Sequence, residues 1–198
     1  MTTDYFVLLK EPRRPWLDSA ALKEKFFALS TEVHPDRVHQ ALGPEKLAAN
    51  LRYTELNAAY NCLREPRDRL RHLLELELGS KPSDLTSVPD DLMKLFIAVG
   101  KLLREVDAFL VEKSRASSPL LQVQQFERGQ EWLDKLGELR RTIAERQEPL
   151  LDELKTLSEM WDSRPDKPLN RLREIWRLLS FYQRWLGQIQ ERNVQLSF

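Results

Sequence analysis

Residues 18–37 read DSAALKEKFFALSTEVHPDR. Within them Leu22, Phe26, Leu29 and Val33 recur at steps of four, three and four, which marks one face of a helix. Asp18 suits the N-cap, with Leu17 before it and Leu22 at the fourth helical position available for a hydrophobic staple. The helix is expected to end near His34, because the residue before Pro35 is pushed away from the α region. A polar connector then runs from Pro35 to Gly43. Pro44 suits the first turn of a second helix, whose apolar face closes on Leu56, Ala59, Tyr60 and Leu63. Two helices joined by so short a turn should lie antiparallel.

The flanks extend the helical pattern. Before Asp18, Tyr5 to Leu9 is a short apolar element closed by Pro12 and Pro15. After Leu63, Pro66 opens a short helix carrying Leu70, Leu73, Leu74 and Leu78, which stops at Gly79. Residues 80–89, SKPSDLTSVP, have linker composition and are the best domain boundary. Beyond it, Leu92, Phe96, Val99, Leu103, Val106 and Leu110 alternate steps of four and three, up to a break at Ser114 to Pro119. A less regular stretch follows with Phe126, Leu133, Leu136, Ile143, Leu150, Leu154, Leu157 and Trp161; Pro149 should kink or restart that helix. Past Pro165 and Pro168, Leu172, Ile175, Leu179, Tyr182, Leu186 and Ile189 return to three–four spacing. Three amphipathic helices joined this way predict an antiparallel bundle.

Composition narrows the function. Lys and Arg number 31 against 31 Asp and Glu, so the basic excess that a phosphate-tracking groove needs is absent and nucleic acid is not an expected partner. Mean hydropathy is −0.52, and the longest apolar run, Leu95 to Val99, is far short of the roughly 20 residues of a membrane span. Cys62 stands alone, which excludes an intramolecular disulfide and a multi-cysteine metal site within one chain and fits a reducing, cytoplasmic setting. His34 and His39 are separated by Pro35 and cannot share a helical face. The six glycines show neither GxG nor P-loop spacing, so no nucleotide cradle is expected. No catalytic residue, metal or cofactor is assigned.

Against this background the informative residues are His34-Pro35-Asp36, placed between two amphipathic helices. With Asp4-Tyr5-Phe6, Leu8-Leu9, Phe26, Leu29, Val33, Arg37, the run Leu56-Asn57-Ala58-Ala59-Tyr60, Leu63, Pro66 and Arg69, they make the chain resemble a J domain. The resemblance sharpens to the HscB branch, co-chaperones of iron–sulfur cluster assembly. It does so through the compact Asp-Tyr-Phe start, the segment Arg69-Leu70-Arg71-His72-Leu73-Leu74 and a three-helix tail opening with Leu92-Met93. The resemblance implies an all-α molecule: a J domain over residues 1–79, a linker over 80–89, and a client-binding three-helix bundle over 90–198. It implies two partners, a DnaK/HscA-type ATPase chaperone and an IscU-type scaffold protein.

In that family the loop docks on the chaperone and accelerates ATP hydrolysis. Here Pro35 stiffens an exposed turn, His34 closes the helix, and Asp36 offers a fixed carboxylate to an arginine fork. Arg37, Lys23 and Lys25 complete the expected chaperone-binding set, although Glu24 and Glu32 dilute the basic stripe that many J domains carry. Leu92, Met93, Phe96 and Phe181 are the expected client-binding residues. Ile97 and Gly100 stand where the resemblance leads one to expect carboxylates. Plainer readings exist for each: Leu92, Met93, Phe96 and Phe181 could be core, Arg37 a solvated charge, Cys62 a buried inert thiol, and His39 and His72 surface or packing residues. Two rival functions are an adaptor that keeps the J fold as a spacer and a small hydrolase built on His34 and Asp36. The intact loop argues against the first, and the lack of a nearby nucleophile or metal against the second.

Overall fold

The computed structural model describes residues 3–33, 43–82, 88–115, 118–163 and 166–197. Among them are seven α-helices and no strand: α1 (Tyr5–Leu8), α2 (Ser19–Glu32), α3 (Gly43–Arg64), α4 (Pro66–Leu78), α5 (Met93–Ser114, entered through a 3-10 turn at Asp90–Leu92), α6 (Pro119–Glu159) and α7 (Leu169–Ser197). None of them is long and apolar enough to cross a membrane.

Local chemistry sets the helix ends. The Asp4 carboxylate accepts from the backbone N–H groups of Phe6 and Val7 and starts α1, while Asp18 accepts from Ala21 N–H at 2.8 Å and starts α2. Pro66 occupies the first turn of α4, and Gly79, at φ 68°, closes it in the left-handed conformation that a residue without Cβ adopts freely. Helix α6 runs unbroken past Pro149, so the expected restart does not occur. Ring and donor loss at one position leave an already propagated helix in place when its flanks are packed, as Leu150 and Leu154 are here.

The chain divides into two compact units that are not contiguous in sequence: Met1–Ser83 with Leu151–Trp176, and Asp84–Leu150 with Arg177–Phe198. The sequence division assigned all of 90–198 to one bundle. Helix α6 has 41 residues, about 60 Å at 1.5 Å per residue, which is more length than one small core can cover.

In the first unit α3 touches α1, α2 and α4. Phe26 of α2 stacks on Tyr60 of α3 at 4.4 Å between ring centroids, and Leu22, Leu56, Ala59, Leu63, Leu70, Leu73 and Leu74 fill the core. Buried polar groups tie the irregular segments to it. Arg69 donates through Nε to Pro15 O (2.9 Å) and through Nη1 to Leu63 O (2.7 Å), and Ser158 Oγ donates to Trp16 O (3.2 Å). Arg14 pairs with Asp162, and Lys167 with Glu77 at 2.8 Å. Burial lowers the Arg69 guanidinium to a pKa of about 10, still charged at neutral pH.

In the second unit α5 runs antiparallel to α6, as the Phe109–Trp132 ring contact and the Glu112–Arg128 pair record, and parallel to α7, as the Phe96–Trp185 contact and the Asp107–Arg192 pair (3.0 Å) record. The buried stripe of α5 is Leu95, Val99, Leu103, Val106 and Phe109. The sequence placed Phe96 and Leu110 in that stripe. Both choices obey three–four spacing, and the true one is displaced by one residue, about 100° around the helix, at its two ends.

Candidate functional site

His34, Pro35, Asp36 and Arg37 lie outside the described residues. Their supports are described. Helix α2 ends at Glu32 with Val33 leaving helical geometry at ψ 17°, close to where Pro35 was expected to stop it, and α3 resumes at Gly43. In sequence the tripeptide therefore falls between α2 and α3, which the Phe26–Tyr60 stack joins and which pack with α1 and α4 through α3.

Of the two lysines expected to meet a chaperone, Lys25 has a carboxylate partner among the described residues and Lys23 has none. Lys23 is exposed, its ammonium 5.7 Å from the Phe27 ring centroid. Lys25 is exposed but tied down: Nζ pairs with Glu11 at 2.8 Å and donates to Lys10 O at 3.3 Å, next to the positive φ of Lys10. Phe27 on α2 and Leu47 and Leu51 on α3 are exposed as well. Sequence reading passed over these three, although Leu47 and Leu51 sit one turn apart and off the face that carries Leu56 and Leu63.

His72 packs as an aromatic. Its ring stacks on Tyr5 at 4.6 Å and lies 5.8 Å from Phe6, and Nε2 accepts from Tyr5 N–H at 3.0 Å, which satisfies a donor that the first turn of α1 leaves free. Burial lowers its pKa; Asp4 and Glu75 pull the other way, Arg71 and Arg13 with it. Cys62, half-buried beside α4, is pushed up to about 11, mainly by burial, so its thiol stays protonated and unreactive. Among the described residues no three His, Cys, Asp or Glu side chains converge on a metal position.

The four residues expected to bind a client divide. Leu92 (0% exposed) and Phe181 (5%) are core, whereas Met93 (41%) and Phe96 (44%) face solvent. Leu92 and Phe181 are thus buried, and the exposed members of the expected set are Met93 and Phe96. Ile97, noted only as a missing carboxylate, is 59% exposed and extends the apolar face. The face rests on an aromatic base, with Phe96 6.5 Å from Trp185 and Trp185 5.8 Å from Phe181. The signal was available: once the α5 stripe is set at Leu95, Val99 and Leu103, Met93, Ile97, Gly100 and Arg104 fall on the opposite face at steps of four, three and four.

No family model matches the chain. Over 91 residues, 46% of its length, it is 33% identical to the co-chaperone protein HscB homolog of Chromobacterium violaceum, and that stretch spans 52% of the relative. Over 73 residues, 37% of its length, it is 40% identical to the HscB homolog of Azoarcus sp. (strain BH72), spanning 41% of that protein. The chain thus matches about half, or less, of the length of these curated relatives. In fold it superposes on the crystal structure of human co-chaperone protein HscB (TM-score 0.64, 21% identity, 98% of this chain and 83% of that one). It likewise superposes on chaperone HscB from Vibrio cholerae (TM-score 0.57, 20% identity, 98% and 96%). In all-helical architecture and in the matched sequence the chain is HscB-like.

Proposed function

We propose that this protein is a J-type co-chaperone: it stimulates the ATPase of a DnaK/HscA-type chaperone through His34, Pro35, Asp36 and Arg37, and delivers an iron–sulfur scaffold protein held on its second unit. It acts as a regulator of another protein's chemistry and carries out none of its own. The observation that carries this reading is the His34-Pro35-Asp36 tripeptide lying between two packed helices, in a chain whose fold follows HscB structures over nearly its whole length. A helical connector that only spaced two helices would have no use for an imidazole, a rigid proline and a carboxylate in succession. Lys23 supplies an exposed cation on α2, with Lys25 contributing through its hold on Glu11. Met93, Phe96 and Ile97 form the client contact, braced from beneath by Leu92, Trp185 and Phe181.

Single-turnover ATP hydrolysis by a DnaK/HscA-type chaperone tests the first half. His34→Gln should remove most of the stimulation while the helical circular dichroism and melting temperature stay those of the parent. Full stimulation by the variant would end the co-chaperone reading.

A further inference from the structure

The apolar face of the second unit lies on stretches of α5 and α7 whose charged residues are all basic. Over the whole chain cations and anions balance at 31 each. From Leu92 to Arg104, however, the sequence carries Lys94, Lys101 and Arg104 and no carboxylate, and from Phe181 to Gln190 of α7 it carries Arg184 and again no carboxylate. These two segments meet at the Phe96–Trp185 contact. The four cations therefore belong to the same surroundings as exposed Met93, Phe96 and Ile97.

The individual positions sharpen this. The guanidinium of Arg104 reaches back over Gly100, its Nη1 3.7 Å from where a Cβ would sit, so it lies along the same helical face as Ile97 and Met93. The Arg184 guanidinium lies 6.0 Å from the centroid of Phe181, the ring that braces Trp185. Among the described residues neither arginine has a carboxylate within ion-pair distance. Lys94 is exposed, and Lys101 has only Glu105 at 3.9 Å, a loose and exposed pair. Along the sequence Asp90 and Asp91 precede this stretch and Glu105 and Asp107 follow it, Asp107 being held by Arg192 at 3.0 Å. The arginines of the bundle that do find carboxylates, Arg128 on Glu112 and Arg192 on Asp107, stand farther along α5, away from Met93 and Phe96.

We infer that this face receives a protein partner whose apolar contact is edged by carboxylates. The inference rests on the docking role proposed above for Met93, Phe96 and Ile97 and specifies its polarity. Arg suits the edge of such a contact, since its weakly hydrated planar fork can lie on an aromatic base and still accept a carboxylate in two hydrogen bonds. The missing carboxylates at Ile97 and Gly100 alone would predict a contact nearly indifferent to salt. With two arginines beside it that have no carboxylate partner among the described residues, attraction to an acidic partner becomes screened and salt-dependent.

Calorimetric titration of the full-length protein with an IscU-type scaffold protein tests this, using the parent, Arg104→Glu/Arg184→Glu and Met93→Ala/Phe96→Ala, with circular dichroism to verify folding. At about 50 mM salt the double charge reversal should weaken binding about tenfold, and at about 500 mM the gap should shrink to within about twofold as the charges are screened. The parent's own affinity should fall across the same range, a readout that needs no variant. If binding is lost in Met93→Ala/Phe96→Ala yet indifferent to the reversal and to salt, the charge inference is overturned and the docking face stands. Tighter binding by the reversed variant overturns it too, since the partner would then be basic. No binding by the parent overturns the scaffold reading, and this inference with it.

Discussion

The two units solve the same burial problem in different ways. The first packs the short helices α1, α2 and α4 and proline-broken connections around α3, and buried polar side chains tie it across the sequence: Arg69 donates to Pro15 O and Leu63 O, His72 accepts from Tyr5 N–H, and Ser158 donates to Trp16 O. The second is made of long helices whose backbones largely satisfy themselves, so its seam is mainly apolar, with Gln125 and Ser180 among its buried polar residues, and ion pairs such as Glu112–Arg128 and Asp107–Arg192 join neighbouring helices. Short elements leave a large fraction of their N–H and C=O groups without helical partners, and a buried one must find a side chain or lose free energy. Long elements escape that demand. The second unit can therefore present Met93, Phe96 and Ile97 to solvent without loosening its core, whereas the first depends on a few irreplaceable polar contacts.

The sharpest way to break this comparison is Arg69→Met. The variant keeps much of the side-chain volume but strands two buried carbonyls at roughly 1–3 kcal/mol each, so unfolding in urea should show a loss of about 4 kcal/mol. A loss below about 1 kcal/mol would mean that the first unit does not rely on its buried polar ties. Next in size is Leu136→Ala in the second unit. Leu136 is fully buried, and the cavity should cost about 3 kcal/mol. That loss should come without the local loosening that Arg69→Met produces at Pro15, which hydrogen exchange of the 10–18 segment would report.

The smallest effect sharpens the comparison by pH. Nε2 of His72 accepts a hydrogen bond, so the folded state holds the neutral ring, and burial lowers its pKa. As pH falls the unfolded chain takes up the proton first. The His72 contribution to stability is therefore complete above the ordinary histidine pKa of about 6.5 and is lost as pH drops through the lower folded value. Urea midpoints measured between pH 7.5 and pH 5 should fall more steeply for the parent than for His72→Phe, which keeps the stacking on Tyr5 and does not titrate. Equal slopes would remove the titration from the account.

Much of this molecule is legible in one dimension. Period-three-and-four patterning located the long helices, Asp18, Pro66 and Gly79 marked ends that the structure keeps, and the residues around His34-Pro35-Asp36 pointed to the J-type hairpin. These features are set by interactions between residues a few positions apart, which sequence spacing encodes directly. The candidate site was legible in part. Of the four residues grouped from sequence, Met93 and Phe96 are exposed and Leu92 and Phe181 are buried; apolar residues next to a core stripe look alike until the neighbouring helices are in place. What the tertiary structure alone decided was which face each stripe turns inward, that residues 151–176 pack with the N-terminal unit, that Lys25 belongs to Glu11, and that Arg104 and Arg184 stand beside an apolar face with no carboxylate partner among the described residues. A helix pattern states that a face must be covered. It does not state by what, because the covering residues lie tens of positions away and are chosen by packing.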